Sequence, residues 1–154
     1  MKQIVINTCF GGFWLSPKWV KRLSELQWKE CYFFTTSFVN SELKQIPVKI
    51  EDIGNSLFWT AYSVPNPDDF DLFIPDADGN YKTANERADK ISIETGRGIN
   101  REDPLLIQVI KELKKEANWR CAKLKIVKIP DDVEYIIEEY DGLEHIAEKH
   151  RTWK

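Results

Sequence analysis

Leu106, Val109, Ile110, Leu113 and Ala117 recur at i, i+3, i+4, i+7 and i+11, a spacing that gathers them on one face of a helix and scatters them over both faces of a strand. Asp103 and Pro104 stand where such a helix would start. The carboxylate can accept from first-turn N–H groups, and proline lacks only an N–H that has no helical partner there. Asn118 suits a left-handed stop. The pattern predicts an amphipathic helix over about 104–117, and its apolar stripe demands a covering layer.

The last 22 residues carry a second local signal. Asp141-Gly142 is a two-residue turn of the kind that needs positive φ at both positions. Closing a hairpin there sets Tyr140 against Leu143, Glu138 against His145, Ile136 against Ala147 and Glu134 against Lys149. The other face pairs Ile137 with Ile146 but also Glu139 with Glu144, which is unfavourable. The hairpin is preferred to a helix over 144–150. Ala122, Leu124 and Ile126 alternate with polar neighbours up to Pro130, so a three-stranded antiparallel meander is expected at the C-terminus.

Towards the N-terminus, residues 3–8 form a β-branched strand broken at Cys9-Phe10-Gly11-Gly12-Phe13. Ser16-Pro17 repeats the cap-then-proline start, and Trp19, Val20, Leu23 and Leu26 predict a second amphipathic helix over about 17–28. Strands are expected at 31–36 and 57–64, with 38–56 left undetermined. Asp71–Ile74 and Tyr81–Thr83 are expected to pair as a short hairpin around Asp78-Gly79-Asn80, and 84–100 to form an exposed loop. The fold class is α+β, with a mixed, mainly antiparallel sheet and two amphipathic helices.

The 154 residues have the length of one ordinary domain, and 42% hydrophobic and 31% charged residues with seven Gly and seven Pro exclude collagen-like and disordered chains. No apolar run exceeds five residues, far short of the roughly 20 needed to cross a bilayer, so no membrane partner is expected. The first seven residues read as a strand and not as a signal peptide. Cys9, Cys31 and Cys121 are odd in number and widely spaced, which fits a reducing, cytoplasmic compartment. The net charge of −3 hides blocks: +4 over 1–49, −7 over 50–80, +5 over 81–130 and −5 over 131–154. Such blocks make local fields, but a pI near 5.5 without a basic arm does not fit general nucleic-acid binding.

Several stretches together resemble a family of small, uncharacterised bacteriophage and prophage proteins. They are Ile4–Phe13 with Leu15-Ser16, then Arg101–Val109, Leu124–Val133, Ile137–Gly142 and Ala147–Trp153. This chain carries Trp14 and Trp119 where the family tends to carry glycine. The resemblance implies a phage accessory protein acting in the host cytoplasm. It supplies no catalytic residue.

Among candidate chemistries, His145 and His150 lie five residues apart, a spacing that puts them on different faces of either a helix or a strand, so no metal or other cofactor is expected. His145 reads as a cross-strand partner of Glu138. Cys9 beside the Gly-Gly turn reads as a small buried residue before it reads as a nucleophile. Asp68-Asp69 and Asp131-Asp132 read as turn and cap residues. The stronger idea is anion binding at glycine-rich helix entries: Gly11, Gly12, Trp14 and Lys18 before and in the first helix, and Arg97, Asn100 and Arg101 before the second. Trp59 and Trp119 are further aromatic candidates for stacking. The expected function is non-enzymatic binding of a phosphate-bearing small molecule, such as a nucleotide signal of host defence. The alternatives are inhibition of a host protein through the acidic C-terminal hairpin and, behind it, a small hydrolase. A homo-oligomer would cover surplus aromatic residues.

Overall fold

The computed structural model describes residues 1–54, 58–96, 98–150 and 153. Its elements are β1 (Lys2–Asn7), α1 (Pro17–Leu26), β2 (Tyr32–Val39), β3 (Glu42–Pro47), α2 (Ile50–Ile53), β4 (Trp59–Tyr62), α3 (Lys82–Ile91), α4 (Pro104–Leu113), β5 (Leu124–Ile129), β6 (Tyr135–Tyr140) and β7 (Leu143–Glu148), with 3-10 turns at Pro67–Phe70 and Lys114–Ala117. The fold is mixed α+β, and its strands pair antiparallel. No described helix is long and apolar enough to cross a membrane. The chain forms two compact units, 1–23 with 96–154, and 24–95.

In the first unit β1 and β5 pair over six positions, with Ile4 opposite Val127 and Val5 opposite Ile126. The expected C-terminal meander does not form, because β5 takes β1 as its partner and β6 with β7 makes a separate ribbon. β1 is centred on the β-branched run Ile4-Val5-Ile6, whose Ile4 and Val5 are fully buried. Pro130 interrupts the path to β6, and a turn closes there through Val133 N–H donating to the Pro130 carbonyl. The β6–β7 hairpin keeps the expected register, with Asp141 and Gly142 at φ of +48° and +84°. α4 starts at the expected Pro104 but stops at Leu113, where Lys114 takes a positive φ, and a separate 3-10 turn runs on to Ala117; Asn118, the expected left-handed stop, is extended. Leu106, Ile107, Val109 and Ile110 are buried, and at about 1.5–3 kcal/mol per fully buried aliphatic side chain that stripe, more than helix propensity, holds the element. The Asp103 carboxylate accepts from Leu105 N–H at 2.7 Å and Leu106 N–H at 3.1 Å, the cap its position foretold. α1 stops at Leu26, short of residue 28.

The second unit is a sheet in the order β3-β2-β4. Asn40 and Ser41, both at positive φ, turn β2 into β3. Phe34, Tyr62, Leu72 and Ile91 form its core. The expected strand at 57–64 is β4, four residues long; Leu57 lies outside the described residues. The expected hairpin of 71–74 with 81–83 is absent. Arg87 instead takes the carbonyls of Phe70, Asp71 and Ile74 at 2.8–3.2 Å, so acceptors that a ladder would need are already filled. Lys82 opens α3 within what was expected to be strand and loop, where Ala84 and Ile91 are buried on one face.

Candidate functional site

β1 ends on Asn7, which is fully buried. Its amide Nδ2 donates to the carbonyls of Cys9 and Gly142, each at 2.6 Å, and its Oδ1 accepts from Lys123 N–H at 2.8 Å. Its backbone N–H donates to Glu144 Oε2 at 2.7 Å. The same carboxylate receives Arg101 in a two-pronged pair, Nη2 to Oε1 at 2.9 Å and Nη1 to Oε2 at 3.1 Å. Nη1 also reaches the Val5 carbonyl at 3.3 Å, and the guanidinium lies 3.4 Å from the Phe13 ring centroid. The Glu144 side chain is 7% exposed and Arg101 20%. An anion is therefore already seated on Arg101, and it belongs to the protein.

A cleft of about 290 Å3 borders this knot, lined in part by Gly11, Gly12, Trp14, Arg101 and Glu139. Four of the seven residues expected to bind an anion thus converge. Trp14 Nε1 donates to the Gly11 carbonyl at 2.8 Å and braces the turn. Lys18 is instead ion-paired with Glu116 at 2.5 Å. Asn100 is exposed and its Oδ1 accepts from Glu102 N–H at 3.0 Å. Arg97 lies outside the described residues. One guanidinium and two carboxylates line the cleft, which disfavours a bound dianion. The helix entries are likewise filled, by Asp103 at α4 and by Ser16 Oγ accepting Trp19 N–H at 3.1 Å at α1.

A larger cleft of about 660 Å3 opens in the same unit between the start of β1 and α4. Pro104 and Ile107 give it an apolar wall, and Lys2, Gln3, Lys111, Glu102 and Glu112 supply polar groups. The two carboxylates are engaged: Glu102 accepts from the Tyr135 hydroxyl at 2.6 Å, and Glu112 from Arg22 Nε at 2.7 Å and Gln108 at 2.9 Å. The hydrogen bond from Arg22 holds the Glu112 carboxyl below its ordinary range. Gln3 Oε1 is buried and has no hydrogen-bond partner. Among the described residues Lys111 has no ion pair.

Burial, and then the Glu102 acceptor, push the Tyr135 phenol up to about 12. A raised phenol favours the neutral form in the folded chain. Its contribution is therefore complete below the unfolded value near 10 and is lost as pH rises through about 12. An ultraviolet phenolate titration should lose one late-ionising component in Tyr135→Phe, and a curve unchanged by that substitution would refute the assignment.

Gln3, Asn7, Lys111 and Glu144 were not among the residues expected at a site. Asn7 carried a signal, since period-two alternation puts it on the face of Val5. His145 pairs with Glu138 at 2.8 Å on the exposed side of the hairpin, as expected. Among the described residues no group of three His, Cys, Asp or Glu could hold a metal. No family model matches the chain, nor does any curated protein or solved structure.

Proposed function

We propose that the protein is a non-enzymatic binder of a phosphate-bearing small molecule, held in the cleft between β1 and α4. The pairing of that cleft's volume with two cations carries the reading, since Lys2 and Lys111 line the cleft while Glu102 and Glu112 beside them are already engaged. Small-molecule sites are clefts of about 300–1,000 Å3 with a few polar groups to fix orientation, and a cleft of about 660 Å3 with two lysines and the Gln3 side chain on its lining is of that kind. A side-chain amide matches the donor–acceptor edge of a nucleobase. Lys111 and the remaining N–H groups of Lys2, whose Nζ donates to the Val133 carbonyl at 2.9 Å, are available to phosphate oxygens because the neighbouring carboxylates are engaged. On this reading Arg101 and the Gly11-Gly12 turn are scaffold. The resemblance to phage proteins supports an accessory role, sequestering a nucleotide signal of the host's defence in its cytoplasm.

A thermal-shift panel of linear, cyclic and NAD-derived nucleotides tests this. Ligand at 100 times Kd should stabilise by about 2.7 kcal/mol, a shift of about 5–10 °C for a chain of this length. Lys111→Glu and Gln3→Ala should each remove the shift, and the bound compound should be recovered intact. A panel without any shift, or a compound recovered as product, overturns the reading.

A further inference from the structure

The β6–β7 ribbon has an inward and an outward face. Tyr135, Ile137, Glu144 and Ile146 share one, on which Glu144 meets Arg101. Ile136, Glu138, Tyr140 and His145 share the other, where Tyr140 is 77% and Ile136 41% exposed. Lys149 N–H donates to the Glu134 carbonyl at 2.9 Å, which fixes 134/149, 136/147, 138/145 and 140/143 as the hydrogen-bonded pairs. The N–H and C=O groups of Tyr135, Ile137 and Glu139 therefore point to the opposite edge of β6. Among the described residues no strand pairs with that edge, because β5 has turned to β1.

The charge of this segment selects what can add there. Residues 131–148 hold eight Asp or Glu and no Lys or Arg. A second copy of the same edge would set carboxylate against carboxylate. We propose that the open edge of β6 takes an extended, lysine- or arginine-bearing segment of a protein partner as a third strand. Main-chain hydrogen bonds to Tyr135, Ile137 and Glu139 supply the affinity, as in other strand additions. Alternate side chains of the incoming strand fall beside Ile136, Glu138 and Tyr140 and the intervening ones beside Tyr135 and Ile137, so basic residues in the outward set alternating with apolar ones in the inward set fit best. The proposal is independent of the nucleotide cleft.

The probe is a fluorescent synthetic peptide alternating Lys and Val, with a Glu and Val peptide as control, read by anisotropy. The basic peptide should bind and the acidic one should not. Glu139→Pro removes an outward N–H while leaving the ladder to β7 intact, and should weaken binding at least about tenfold beyond Glu139→Gln, which removes the charge and keeps the N–H. Equal losses in the two variants would mean attraction by charge alone and overturn the proposal. Hydrogen exchange on the unsubstituted chain gives a second reading. Amides of Tyr135, Ile137 and Glu139 should become protected when the peptide binds, and binding without that protection, or dimerisation through β6 without peptide, overturns it.

Discussion

Glu144→Ala is expected to destabilise the first unit by about 3–5 kcal/mol, the cost of leaving one member of a buried ion pair alone. Three donors lose a bond at once: Arg101 Nη2 and the Asn7 backbone N–H lose their Glu144 acceptor, and Arg101 Nη1 keeps only the Val5 carbonyl at 3.3 Å. Arg101 cannot escape by losing its proton, and only a fifth of its side chain reaches solvent. A domain is stable by only about 5–15 kcal/mol, so the loss should be plain in a urea midpoint. Glu144→Gln, which keeps an acceptor for Asn7, should cost less. Arg101→Met combined with Glu144→Leu should recover most of the stability, because an apolar pair carries no desolvation penalty. Additive effects in that double-mutant cycle would show that the two side chains are not coupled.

This pair also marks how far the chain could be read in advance. The Asp141-Gly142 register places Glu139 opposite Glu144. Two carboxylates facing each other require that at least one be drawn away by a donor. The structure separates them: Glu144 turns inward to Arg101, and Glu139 accepts from the Gly142 N–H. The conflict was legible in the hairpin; its resolution, 43 positions away in sequence, was not. α4 and the hairpin were legible because their signals are local, an apolar period with its cap and a turn with its φ requirement. The pairing of β1 with β5 depends on which distant strand offers the better apolar match, and no local signal encodes that. α3 was missed because its buried side includes Ala84, which contrasts weakly with polar neighbours, and because Arg87 fixes the loop before it through backbone carbonyls. The cleft with Gln3 was hidden for a related reason. An amide in a strand carries no mark of whether it will find a partner until α4 is laid beside it.

Gly142→Ala should be as damaging as loss of Glu144, and for a different cause. Gly142 has φ of +84°, and a methyl added there would lie 2.6 Å from Gly12 Cα and 2.7 Å from the Gly11 carbonyl carbon, closer than real Cβ atoms approach. Those neighbours are backbone, so no side chain can rotate aside. The two turns would have to part, breaking the bond from Gly11 N–H to the Asp141 carbonyl at 2.9 Å and that from Asn7 Nδ2 to the Gly142 carbonyl at 2.6 Å. Gly79 separates the two causes. Its φ is +77° but nothing lies within 4 Å of its added methyl. Gly79→Ala should therefore show backbone strain alone, about 1–2 kcal/mol, whereas Gly142→Ala adds overpacking and two lost hydrogen bonds, for about 3–5 kcal/mol in total. If denaturation curves gave the two variants the same stability, the close seating of the Asp141-Gly142 turn on the Gly11-Gly12 turn would be disproved, and the Arg101–Glu144–Asn7 knot would lose the feature that closes it.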